Sequence, residues 1–154
     1  MPTQLFTFGA NQELIDALSN SGAHFIVIGG LAVHYHASER QVDDLDLLIE
    51  PSVTTAEKVI AALSSCPLFK HSITVDQLLQ PKRMQIPAKV YFYADILTPG
   101  QELDFHEHWG EAHDAKIGNT AVKVASIQTL LTLLSKSTEP KHVKDIALLG
   151  QLNN

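Results

Sequence analysis

The chain has one cysteine, Cys66, among 154 residues, which excludes an internal disulfide and fits a reducing compartment where the thiol is structural. It also lacks a basic excess. Eleven Lys and Arg against 17 Asp and Glu leave a formal charge of −6, so no broad surface binds nucleic acid by counterion release. No stretch approaches the roughly 18 apolar residues of a membrane helix, and the start, MPTQLFTFGANQ, lacks a positive leader followed by an apolar run. The expectation is a cytoplasmic chain with no membrane partner. G-x-x-x-x-G-K-[ST] and G-x-G-x-x-G are both missing, which excludes P-loop and dinucleotide-binding readings.

A hydrophobic content of 45% with 18% charged residues is enough to build one globular domain over 1–154, with a core at about 10–125 and C-terminal helices at about 126–150. NQELIDALSNSG reads as a helix with Asn11 as N-cap and Gly22 as stop. HFIVI, residues 24–28, reads as a buried strand broken by Gly29 and Gly30, after which LAVHYHA winds into a helix. LDLLIE, 45–50, reads as a second strand ended by Pro51, and TTAEKVIAALSS as a helix with a Thr54–Glu57 capping box. Residues 66–87 carry Pro67, Pro81 and Pro87 and predict little regular structure beyond a turn or two of helix in VDQLLQ. AKVYFYADIL, 88–97, predicts a long strand with Tyr91, Tyr93, Asp95 and Leu97 on one face. A hairpin around Gly118 and Asn119 spans 115–124, and two helices follow, SIQTLLTLLSK and KHVKDIALLG, the second ending at Gly150. The fold class is α/β (α+β), a small mixed sheet flanked by helices with a short helical C-terminus.

Asp43, Asp44 and Asp46 crowd the start of the second strand. Two ionised carboxylates about 4 Å apart repel by roughly 4 kcal/mol at an effective dielectric near 20, and the nearest cation in sequence, Arg40, cannot neutralise them together with Glu50. A divalent cation is the economical answer. Strand side chains repeat every two residues, so Asp44 and Asp46 share a face with Cα atoms about 6.6–6.8 Å apart. Leu45 and Leu47 turn into the core, and Asp43 faces away from the pair. Asp95, an acid among core-like residues on another strand, is the third ligand if the two strands are neighbours. Gly29 and Gly30 let a ligand approach the backbone at a helix start, a phosphate site. Ordinary surface acids at a strand start and a plain tight turn are the competing readings. A D-x-D phosphatase needs an apolar strand leading into its first aspartate, whereas here SERQVD precedes Asp44 and the strand follows.

IGGLAVHYHASERQVDDLDLLIE, YADILTP and VASIQTLLTLLSK together resemble the DNA polymerase β-type nucleotidyltransferase superfamily, in its small MNT-like and abortive-infection-type members. The resemblance covers residues 24–50, 89–98 and 124–149. It implies a nucleotidyltransferase fold, a nucleoside triphosphate such as ATP as substrate, and Mg²⁺ or Mn²⁺ as cofactor. Asp44 and Asp46 then bind metal, Asp95 joins them and helps activate the attacking hydroxyl, and Gly29 and Gly30 hold the triphosphate, with Arg40 and Lys136 as further nucleotide contacts. The implied reaction moves a nucleoside monophosphate to a hydroxyl on an acceptor, whether protein, RNA or small molecule. Val42 stands where relatives commonly carry threonine, and STEPKH lacks the arginine that often precedes Lys-Asp, here Lys144 and Asp145. These departures support a second reading, a nucleotide-binding module that works through a small protein partner, as in a toxin–antitoxin or phage-defence pair. The chain is also short enough for a homodimer or partner to complete its cleft.

DFHEHWGEAHD, 104–114, crowds His106, His108, His113 and four acids, but its spacing is no H-E-x-x-H, and it reads as a polar loop with Trp109 as a local plug. His34 and His36 face apart on a helix and read as packing or surface residues.

Overall fold

A computed structural model describes residues 3–7, 9–42, 44–67, 73–80, 94–99, 103–135 and 137–152, and the backbone of 83–85. In chain order these form β1 (Thr3–Leu5), α1 (Asn11–Ser21), β2 (Phe25–Ile28), α2 (Gly29–His36), β3 (Leu45–Ile49), α3 (Val53–Ser65) and α4 (Val75–Leu79). There follow β4 (Arg83–Gln85), β5 (Ala94–Leu97), α5 (Phe105–Glu111), β6 (His113–Ile117), β7 (Thr120–Val124), α6 (Ile127–Leu134) and α7 (Pro140–Leu152). The expected mixed sheet flanked by helices is what the chain forms. The strands make one seven-stranded sheet in the order β1-β6-β7-β2-β3-β5-β4.

Apolar burial drives the central strands: β2 is buried throughout. β3 buries Leu45, Leu47, Leu48 and Ile49 while Asp46 stays half-buried, and β5 buries Ala94 and Ile96 between Asp95 and Leu97. β3 is antiparallel to β2, pairing Ile28 with Asp46, and parallel to β5, pairing Asp46 with Asp95. The hairpin forms where expected but begins earlier, at His113, and Gly118 closes it. α1 and α3 pack on each other, and α2, α6 and α7 form a second packed group. Among the described residues no helix is long and apolar enough to cross a membrane.

Several local expectations are corrected. Ala10, not Asn11, occupies the N-cap position of α1 and gives it no side-chain cap; Asn11 is the first helical residue, buried, with its Nδ2 donating to Thr7 Oγ1 at 3.1 Å. Ser52 rather than Thr54 caps α3, its Oγ accepting from Thr55 N at 3.1 Å. Residues 105–111 are a helix, because Asp104 accepts from His106 N at 3.0 Å and Glu107 N at 3.3 Å while Phe105 is buried and Trp109 packs on the core. α7 runs through Gly150 to Leu152. β1 was not anticipated. It pairs parallel with β6, a partner more than 100 residues away. The helical turns in VDQLLQ form as α4, and β4 adds a short strand between Pro81 and Pro87. The expected strand over 88–97 is described only for β5; its first part, with Tyr91 and Tyr93, lies outside the described residues, as do Asp43 and Lys136.

The expected packing histidines find backbone partners: His34 Nδ1–H donates to the Arg40 carbonyl at 2.7 Å, and His36 Nε2–H to that of Ala125 at 2.8 Å. Burial, with His113 nearby, pushes the His36 pKa below its ordinary value against the opposing effect of the Ala125 bond. Cys66 is buried, and burial pushes its thiol up, as a structural role requires. Glu50, just past β3, accepts from Ser52 Oγ and Thr55 Oγ1 at 2.9 Å each and lies 3.2 Å from His24 Nδ1. Burial raises its pKa, but the bonds from Ser52, His24 and Thr55 together outweigh burial and hold it below the ordinary 4.5. A depressed carboxyl stabilises the fold above its unfolded pKa and loses that contribution as pH falls through the folded value. Urea denaturation below pH 4.5 should therefore show a shallower acid loss of stability for Glu50→Gln than for the parent. Parallel curves would contradict this assignment.

Candidate active site at the glycine turn

β2 runs without a linker into α2, and Gly29 makes the turn with φ 68°. That left-handed backbone disfavours any side chain, and space disfavours one more strongly: a Cβ on Gly29 would lie 2.2 Å from Asp46 Oδ2 and 2.9 Å from Asp46 Cγ. The glycine is the vacancy into which the Asp46 carboxylate fits. Gly30 answers a different neighbour, since its Cβ would lie 3.1 Å from Arg40 Nη2 and 3.3 Å from Cζ. Adjacent glycines thus admit an acid and a cation to the same helix start.

The turn forms the floor of a cleft of about 700 Å³. Asp44, Asp46 and Asp95 all line it, with Gly29, Gly30 and Arg40. Asp46 and Asp95 face it side by side because they occupy one register row of parallel strands. Six of the seven residues read from sequence as site candidates therefore lie on one cavity; Lys136 is outside the described residues.

Arg40 also has a structural partner. Its Nε donates to Asp145 Oδ1 at 2.7 Å, its Nη2 reaches Asp145 Oδ2 at 3.4 Å, and its Nη1 donates to the Gln41 carbonyl. The side chains are 14% and 3% exposed, so this pair couples α7 to the segment after α2 away from water. Sequence reading noted Asp145 only within its Lys-Asp pair and missed the rest of the far wall. There Ser137 Oγ is hydrogen-bonded to His142 Nδ1 at 2.6 Å, and Glu139 and Lys141 face the cleft. The polar run STEPKH between two apolar helical stripes was the available signal. Leu130, Leu133 and Leu134 of α6 supply an apolar surface beside it.

Five carboxylates line the cleft, those of Asp44, Asp46, Asp95, Glu139 and Asp145, against the two permanent cations Arg40 and Lys141 among the described residues. A polyphosphate entering so acidic a space needs added positive charge. Carboxylate oxygens are hard donors suited to Mg²⁺ or Mn²⁺, and the room at Gly29 already seats one of them. Among the described residues no three His, Cys, Asp or Glu side chains stand as a ready-made ligand group. The expected three-carboxylate nest is thus shared in location while its members are not gathered.

Replacing Gly29 by alanine should cost about 1–2 kcal/mol from the left-handed backbone alone and displace Asp46 besides. Gly30→Ala, with ordinary φ and only the end of Arg40 to move, should cost less. Urea unfolding of the two variants decides it, and equal losses would contradict the geometry.

Neither a family model nor a curated protein matches this sequence. Among solved structures, the chain is similar to one described as the crystal structure of an antigenic nucleotidyltransferase-like protein from Paracoccidioides brasiliensis. The identity is 13%, the TM-score 0.49, and the match covers 94% of this chain and 77% of that one.

Proposed function

We propose that the cleft transfers a nucleoside monophosphate from a nucleoside triphosphate, such as ATP, to a hydroxyl acceptor. The observation that carries this reading is the register row that sets Asp46 beside Asp95 and against the Gly29 turn. Asp44, Asp46 and Asp95 are the residues to hold Mg²⁺ or Mn²⁺. When bound, the ion supplies charge neutralisation of the polyphosphate and polarisation of the reacting phosphorus centre.

The chain's own groups account for the rest. Backbone N–H groups at the start of α2 and the positive end of its dipole receive phosphate oxygens, which the glycines allow to come close. Arg40 adds a fixed cation beside Gly30. The leucines of α6 offer an apolar surface to the nucleoside. Asp95 accepts the proton of the acceptor hydroxyl as its oxygen bonds to the α-phosphorus, and the bond to the leaving pyrophosphate breaks. The acceptor, whether protein, RNA or small molecule, brings the nucleophile.

A second reading, a nucleotide-binding module that acts through a small protein partner, draws on Val42. Its side chain packs against the core and offers no hydroxyl to the cleft. The two readings part on turnover.

Calorimetry with ATP and Mg²⁺ should show metal-dependent binding by the parent and none by Asp46→Asn. Asp95→Asn should keep ATP affinity within a few fold while transfer of labelled nucleotide to an acceptor falls by about 10²-fold or more, the usual scale for a lost general base. Binding without transfer by the parent, whatever acceptor is supplied, selects the binding module. Equal transfer by parent and Asp95→Asn would make that acid structural.

A further inference from the structure

Arg40 is held through both its backbone and its side chain. Its carbonyl accepts from His34 Nδ1 at 2.7 Å, its backbone N–H donates to the Ala37 carbonyl at 3.0 Å, and its guanidinium is gripped by Asp145. Two of these restraints come from α2 and its C-terminal end; the third comes from α7, 105 residues later. A long flexible side chain beside a phosphate site loses rotamer freedom when it binds, and prior fixation removes that cost. The guanidinium sits so near Gly30 that a methyl group there would touch it. Asp145, together with the Gln41 carbonyl that Nη1 meets, keeps it from swinging away.

We propose that Asp145 is a positioning residue, which through its ion pair with Arg40 fixes the guanidinium over the Gly29–Gly30 turn and so sets the affinity of the cleft for a polyphosphate. The inference rests on the nucleotide reading above and assigns α7 a part in it. A buried carboxylate that served only to dock α7 would need any cation of fitting length. Arginine at position 40 instead presents a planar fork, whose Nε and Nη2 meet the two Asp145 oxygens while Nη2, Cζ and Nη1 lie 3.1–3.3 Å from where a Cβ on Gly30 would be, so that its face covers that glycine. One edge is fixed by α7, which orients the plane for the ligand.

The consequence is a coupling that a docking role does not produce. Binding of inorganic tripolyphosphate and of ATP, each with Mg²⁺, is measured by calorimetry on the full chain, with thermal unfolding in parallel. Asp145→Asn should weaken both ligands by about tenfold, the scale of a charge-assisted contact. Arg40→Ala should weaken them at least as much, and the double variant no more than Arg40→Ala alone, because Asp145 acts through Arg40. Asp145→Glu should restore part of the affinity.

Removing one partner of a buried pair is strongly destabilising, so Arg40→Lys is the second probe. It keeps the charge and one contact to Asp145 but loses the fork, and should bind tripolyphosphate several-fold more weakly at temperatures where it is fully folded. Unchanged affinity in folded Asp145→Asn or in Arg40→Lys would overturn the proposal, leaving the pair a docking contact visible only in the melting temperature. Additive losses in the double variant would overturn it too. A parent that binds neither ligand overturns the nucleotide reading itself, and the proposal with it.

Discussion

β3 is hydrogen-bonded on both edges, and a slip of one residue would turn Asp44 and Asp46 into the core and expose Leu45 and Leu47. The burial of Leu45, Leu47 and Ile49 on one face of this strand therefore fixes where two carboxylates emerge. Because β2 ends at Ile28, opposite Asp46, the turn of Gly29 must occur at the height of that carboxylate. Because β5 lies parallel on the other side, Asp95 arrives at the same height. Side-chain chemistry at the cleft is in this sense a product of core packing.

The same geometry creates an electrostatic demand. Carboxylates collected at one end of a sheet repel one another, and the chain's answer is partial: Arg40 comes from the segment after α2 and Lys141 from α7. Helices α6 and α7 do more than pack on α2 and on each other. They supply the apolar and polar parts of the far wall, and through Asp145 they reach Arg40 beside Gly30. The cleft is built from both ends of the chain, so the integrity of the C-terminal helices and the properties of the site are linked.

Much of this was legible in local pattern. An apolar run ended by Pro51 marked β3, Gly118 and Asn119 marked the hairpin, and two glycines between an apolar strand and a helical run marked the turn whose spacing to Asp46 proves to be contact distance. Tertiary pairing was not legible. Nothing near Arg40 in sequence names Asp145, and nothing in Thr3–Leu5 names β6 as its partner. α5 was hidden for a different reason: histidines and acids suggested a solvated loop, whereas Asp104 followed three residues later by Glu107 is a helix-start pattern, with Phe105 as its buried anchor. Competing capping residues misled at α3, where Ser52 and Thr54 both qualify and Glu50, bonded to Ser52, shares in organising the start.

The central claim is that the acids at the glycine turn exist to hold a dication on a polyphosphate, and the direct measurement is a crystal grown with Mn²⁺ and a non-hydrolysable ATP analogue, read by anomalous scattering. The account predicts an ion peak at about 2.0–2.3 Å from carboxylate oxygens of Asp44 and Asp46, with the phosphates against Gly29 and Gly30. An analogue bound away from that turn, or manganese found only at the surface group of His24, Glu50 and His106 beyond the other end of β3, would contradict it.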